Sequence, residues 1–163
     1  MIVPKRIETV LFICTANYYR SRFSEYLFNA LADKKGLRWQ ATSRGLKSWV
    51  GDDQGPVSEF TLERLATGRI HLSGDIRFPI QLTENDLVCA DLVIAMKETE
   101  HRAMMTEQFS FWADCINYWD IDDIDCKPPG EALPLCEACV ENLVQGLLAE
   151  QKRNARKRLK VAA

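Results

Sequence analysis

The chain has 163 residues, 47% of them hydrophobic and 27% charged, with a net charge of -2. That length suits one domain with a substantial core, and the faintly acidic balance argues against nucleic acid as a partner. No apolar run comes near the roughly 20 residues that span a bilayer, so no membrane segment is expected.

Met1 to Glu8 lacks the apolar stretch of a secretory leader, and a cytoplasmic setting is expected. The six cysteines then read as reduced thiols rather than three disulfides. Cys136 and Cys139 form one Cys-x-x-Cys pair, but no second pair or histidine cluster completes a zinc site. Both lie on an apolar helical stripe, where cysteine packs as a small hydrophobe.

In chain order, Val10 to Cys14 is a continuous apolar run, the pattern of a strand buried on both faces of a parallel sheet. From Ser21 the period becomes helical, with Phe23, Tyr26, Leu27, Ala30 and Leu31 on one face and Gly36 as the stop. Trp39 to Ser43 predicts a second strand. Gly45 to Val57 is a loop with Trp49 in its middle. Ser58 is the expected cap of a short helix carrying Leu62, Leu65 and Ala66, ended by Gly68. Leu72 to Leu82 is irregular, and Pro79 argues against a central strand.

Thr83 is placed to cap another short helix, with Leu82 and Leu87 at the two positions of a hydrophobic staple. Asp91 to Met96 predicts a third strand, Lys97 to Thr106 a helix, and Cys115 to Trp119 a fourth strand. An acidic segment, Asp120 to Asp125, follows, and Pro128, Pro129 and Gly130 predict a turn. The last helix has a stripe of Cys136, Cys139, Val140, Leu143, Val144, Leu147 and Leu148, and becomes basic from Lys152 to Lys160. This tail, residues 150–163, reads as a helix C-terminus, where cations suit the dipole. His71 and His101 have no evident partners and read as surface residues. Strands alternating with helices predict an α/β chain, a parallel sheet covered on both faces, with ligands bound at the carboxyl ends of strands.

Cys14 stands at such an end. Five residues on from Thr15 comes Arg20, then Ser21 and the start of an amphipathic helix. Free N–H groups at a helix start attract anions, an arginine fork fits phosphate, and the same positive field activates a thiol. The stretch reads as a phosphate cradle with a nucleophile at its base. The plainer reading is that Cys14 is one more buried hydrophobe.

The run from Val10 through Cys14, Asn17, Arg20 and Ser21 to Glu25 resembles the phosphate-binding loop of the low-molecular-weight protein tyrosine phosphatases. The loop around Trp49 and the segments Leu82 to Leu87 and Ala90 to Met96 are similar to that family too. The resemblance implies a three-layer sandwich with a four-stranded parallel sheet in the order 2-1-3-4, and hydrolysis of a phosphomonoester, above all phosphotyrosine in a protein, through a phosphocysteine. No cofactor or metal is required by that chemistry, and the oligomeric state is left open.

In this likeness Cys14 attacks phosphorus. Arg20 and the backbone of Thr15, Ala16, Asn17, Tyr18, Tyr19, Arg20 and Ser21 hold the phosphate oxygens, and the Ser21 hydroxyl donates to the thiolate. Asn17 fixes the loop, being tolerant of left-handed backbone. Tyr18 and Trp49 line the substrate cleft. The family's acid follows the fourth strand as Asp-Pro. Counting from Trp119 gives Asp123, with Asp120, Asp122 and Asp125 as rivals, because no proline follows any of them. Ala16 and Tyr19 replace a glycine and a second cysteine common in the family.

Two other readings stand beside this one. A thioredoxin-coupled arsenate reductase on the same fold would need two further cysteines near the end of the third strand, which ends at Met96 with Cys89 before it. A phosphate-binding module with weak turnover would keep the loop but lack the Asp-Pro. Within the phosphatase reading, phosphoarginine is disfavoured by Tyr18, where related enzymes with that activity tend to have a small threonine.

Overall fold

The computed structural model describes residues 6–72 and 74–162. Residues 1–5, 73 and 163 lie outside it, and the leader-free reading of the N-terminus lies there with them. Strand β1, Glu8–Cys14, is the centre of the molecule. It pairs in parallel with β2, Trp39–Gly45, on one side and β3, Leu92–Ala95, on the other, and β3 pairs with β4, Asn117–Tyr118. The order is β2-β1-β3-β4, as the resemblance implied.

The apolar run of β1 explains its central place. Val10 and Phe12 enter one core and Leu11 and Ile13 the other, and all four are fully buried. The first core lies under α1, Arg20–Lys35, with α2, Glu59–Thr67, and α5, Pro129–Ala162. The second lies under α3, Glu84–Cys89, and α4, Glu98–Gln108. Each buried Phe or Leu contributes roughly 1.5–3 kcal/mol of transfer free energy, so a strand apolar on both faces has its place in the middle.

The local signals acted largely as read. Gly36 ends α1 in the left-handed conformation (φ 64°). Thr83 caps α3 in a reciprocal box with Asp86, and Leu82 and Leu87 are buried beside it. Ser58 is at the α2 N-cap position in extended backbone, although its side chain makes no capping bond.

Three expectations are corrected. The deepest face of α1 carries Phe23, Leu27, Phe28 and Ala32, whereas Tyr26, Ala30 and Leu31 are half-buried, because α1 is wedged between the sheet and α5. The fourth strand shrinks to two residues at the sheet edge. Pro129 and Gly130 do not make a turn but open α5, where proline's missing N–H is one that needs no helical partner. Pro134 also lies inside that helix, at the cost of its own N–H hydrogen bond. Of the described helices, α5 alone has the length and apolar window of a membrane span. Its apolar face is committed to the core through Cys136, Val140 and Val144.

Candidate active site

The loop from Cys14 to Arg20 joins the end of β1 to the start of α1 and is pinned to its neighbours through its carbonyls. The Cys14 and Thr15 carbonyls accept from the N–H groups of Leu46 and Lys47, and those of Tyr18 and Tyr19 accept from Ser58 and Phe23. No described acceptor takes a hydrogen bond from the backbone N–H groups of Thr15 to Arg20. Tyr19, the N-cap of α1, makes no side-chain cap. A ring of unpaired donors at a helix N-terminus is an anion site.

Asn17 holds this ring in shape. It is fully buried with φ 54°, a conformation asparagine tolerates better than most residues. Its Nδ2 donates to Ser21 Oγ at 3.0 Å and Ser43 Oγ at 2.9 Å. Its Oδ1 accepts from Arg77 Nη1 at 3.1 Å and the Ile80 N–H at 3.0 Å. Ser43 in turn donates to Glu25, which is paired with Arg77 at 2.7 Å. Asn17 already fills one acceptor site of Ser21 Oγ, so the Ser21 proton is free to point at Cys14 Sγ, 2.9 Å away.

Gly45 completes the support. A Cβ there would sit 2.8 Å from the Thr15 carbonyl oxygen and 3.0 Å from Asn17 Cβ. Gly45→Ala is therefore expected to cost about 1–3 kcal/mol of stability and to distort the loop. Thermal unfolding and anion binding measured together check this; an alanine variant unchanged in both would contradict it.

Arg20 is almost completely buried and has every terminal N–H engaged. Nη1 donates to Glu100 Oε2 at 2.9 Å and the Ile121 carbonyl at 3.0 Å. Nη2 donates to Glu100 Oε1 and to Asp123 Oδ2, both at 2.8 Å. Burial disfavours its charge, but Glu100, Cys14 and Asp123 more than offset that, and its pKa is raised. Two of the other aspartates are drawn away and the third shares the cavity. Asp120 and Asp122 pair with Lys97, and Asp125 lines the cavity without an ion pair among the described residues.

The cavity over Cys14 has a volume of about 640 Å³. Tyr18, Val50, Phe60 and Leu62 supply aromatic and aliphatic wall, and Arg20, Glu59, Asp123 and Asp125 the charge. Tyr18 donates its hydroxyl to the Gln54 carbonyl at 3.0 Å. Trp49 is 57% exposed on the 3-10 turn Ser48–Gly51 and does not line the cavity; its neighbour Val50 does.

A family model described as low molecular weight phosphotyrosine protein phosphatase matches residues 9–157. The chain belongs to this family. Among curated proteins of Bacillus subtilis (strain 168), the low molecular weight protein-tyrosine-phosphatase YfkJ is 40% identical over 91 residues, 54% of this chain and 55% of the relative. A protein-arginine-phosphatase is 31% identical over 105 residues, 64% of this chain and 65% of the relative, so the aligned stretches span under two thirds of both proteins. The crystal structure of YfkJ superposes with a TM-score of 0.72 at 26% identity, covering 93% of this chain and 99% of YfkJ. A cysteine-to-serine mutant of the YwlE arginine phosphatase, with a phosphorylated active site serine, superposes at 0.65 with 25% identity, covering 91% and 98%.

Within this family member the structure brings Cys14, Asn17, Arg20, Ser21 and Asp123 together. It adds residues that the sequence reading missed. Glu100 grips Arg20, Arg77 braces Asn17, and His101 is fully buried rather than on the surface. Glu100 and His101 stand in the first turn of α4, just past the end of β3, the strand beside β1. That position was the available signal, since neighbouring strand ends converge on one site.

His101 Nδ1 accepts from the Lys97 N–H at 3.0 Å, so its proton sits on Nε2, 3.2 Å from both Thr15 Oγ1 and Glu100 Oε1. Burial lowers its pKa below the usual 6.5, more than Glu100 raises it. A histidine whose folded pKa is lowered contributes stability that is present above its unfolded pKa, about 6.5, and lost as pH falls through the folded value. Unfolding free energy is expected to decline below pH 6.5, and His101→Gln to flatten that decline; chemical denaturation across pH 5 to 8 measures both.

Cys136 is buried in the first core, 3.1 Å from Ser24 Oγ, and burial pushes its thiol up to about 12. None of the six cysteines is disulfide-bonded.

Proposed function

We propose that the chain is a cytoplasmic phosphatase of one domain that hydrolyses phosphotyrosine in proteins through a phosphocysteine at Cys14. The observation that carries this reading is the run of unpaired N–H groups from Thr15 to Arg20 directly after Cys14, with Cys14 and Arg20 lining one cavity. The family match over residues 9–157 supports the single-domain reading, and the six free thiols fit a reducing compartment.

The phosphate dianion rests over Cys14 with its three non-bridging oxygens on the loop N–H groups and on the Nε edge of Arg20. Sulfur attacks phosphorus in line, the S–P bond forms, and the P–O bond to the tyrosine breaks. Displaced from Arg20 by the phosphate, Asp123 takes up a proton from solvent and gives it to the departing phenolic oxygen. Water then attacks the phosphocysteine, Asp123 takes its proton, and the S–P bond breaks. The Ser21 hydroxyl stabilises the sulfur as a leaving thiolate, and the fixed donors stabilise the transferring phosphoryl group in both steps. The phosphorylated serine in the YwlE mutant fits a covalent route of this kind.

Tyr18, Val50, Phe60 and Leu62 form a slot suited to an aromatic ring, which favours phosphotyrosine. The likeness to a protein-arginine-phosphatase, together with Glu59 and Asp125 on the cavity wall, favours phosphoarginine as the second reading. The arsenate-reductase reading finds no support, because β3 is followed by the buried Met96 and Cys89 is exposed at the far end of α3. Matched peptides carrying either phosphoresidue decide the substrate: kcat/KM is expected to favour phosphotyrosine by tenfold or more. A preference for phosphoarginine would move the assignment, and no turnover of either would reduce the chain to a phosphate-binding module.

A further inference from the structure

We infer that Glu100 is the positioning residue for Arg20, and that Asp123 and an incoming phosphate compete for the edge of Arg20 that Glu100 leaves open. This rests on the phosphatase reading for its consequence in turnover, but not for its consequence in phosphate binding.

Two carboxylates touch the same guanidinium and are held very differently. Glu100 meets both terminal nitrogens end-on, at 2.9 and 2.8 Å. It is itself fixed, accepting from Thr15 Oγ1 at 2.5 Å and lying 3.2 Å from His101 Nε2. Burial would raise its pKa, but the hydrogen bonds from His101 and Arg20 and the charge of Arg20 hold it well below the usual carboxylate range. Thr15 belongs to the phosphate loop and His101 to the α4 core contact, so Glu100 locks Arg20 to both.

Asp123 makes one contact to Arg20, from a segment outside any helix or strand, and is a third exposed. It takes the remaining Nη2 proton. After Glu100, Ile121 and Asp123 are served, Nε–H is the one donor of Arg20 with no acceptor among the described residues. A guanidinium grips phosphate best with two parallel donors. Nε supplies one, and the second must come from the Nη2 proton that Asp123 holds. Phosphate therefore displaces Asp123, the loosely held carboxylate, and Glu100 keeps the fork in place.

The two carboxylates then have opposite effects on anion binding. Through-space electrostatics alone predicts that neutralising either one tightens phosphate binding. Positioning predicts that Glu100→Gln loosens it, because Arg20 loses its anchor and turns toward Asp123. The test is calorimetric titration with inorganic phosphate, alongside aryl-phosphate kinetics. Glu100→Gln is expected to weaken phosphate binding about tenfold and lower kcat/KM about 10²-fold, with the dependence on leaving group unchanged.

Glu100→Asp keeps the charge on a shorter arm and is expected to lie between, weakening binding about threefold; it carries the test alone if the glutamine variant does not fold. Phosphate bound as tightly as by wild type, or tighter, in the folded variants overturns the inference. A wild type that binds phosphate but does not turn over aryl phosphate counts against the phosphatase reading only, and one that binds no phosphate overturns both.

Discussion

Cys14→Ser is expected to lower kcat for an aryl phosphate by about 10⁴-fold or more while leaving the affinity for inorganic phosphate within about threefold of wild type. Serine is close in size to cysteine, and the ring of donors from Thr15 to Arg20 does not involve the sulfur. What changes is the nucleophile. The polar neighbour of Cys14 Sγ is the Ser21 hydroxyl, 2.9 Å away, and a hydroxyl is no base. A serine there has nothing to take its proton, so binding survives and chemistry does not. Steady-state kinetics with a phosphate titration on the same preparation measures both. A serine variant that keeps a tenth of wild-type turnover would place the nucleophile elsewhere.

Asp123→Asn is expected to cost about 10²–10³-fold in kcat with a poor leaving group such as phenol, and under about tenfold with an activated nitrophenol. An amide cannot protonate the departing oxygen, and an activated phenolate scarcely needs the proton. The same variant is expected to bind phosphate more tightly, because the neutral amide no longer competes as an anion for Arg20 Nη2. Asp120 is the control. Its carboxylate is 87% exposed and paired with Lys97, so Asp120→Asn should leave the leaving-group dependence as it was. Were Asp120→Asn or Asp122→Asn to steepen that dependence instead, the acid would have to be reassigned.

The sequence made some parts of this molecule legible and hid others, and the division follows distance along the chain. The loop Cys14 to Arg20 is contiguous, so its thiol, arginine and helix start can be read together, as can the capping box of Thr83 and Asp86 three residues apart. Asp123 was reached by counting from Trp119 and competed with three other aspartates. The Lys97 pairs draw off Asp120 and Asp122, and the ion pair with Arg20 sets Asp123 apart from Asp125.

Glu100, His101 and Arg77 were not found, because each acts on a partner 60 or more residues away. Nothing in the local pattern of α4 distinguishes an inward Glu–His pair from a solvated face. The sheet order does, since it sets the end of β3 beside that of β1. Pro129 and Gly130 misled for the opposite reason: turn chemistry was read locally, and the packing of α5 on α1 overrode it.

A phosphorus–sulfur bond is the step on which this mechanism depends, and rapid acid quench of enzyme mixed with excess aryl phosphate observes it directly. Peptide mapping of the quenched protein should find phosphate on Cys14, formed in a burst that approaches the enzyme concentration and is lost in Cys14→Ala. Turnover with no phosphoenzyme at any quench time, or with phosphate on another residue, would contradict the phosphocysteine route.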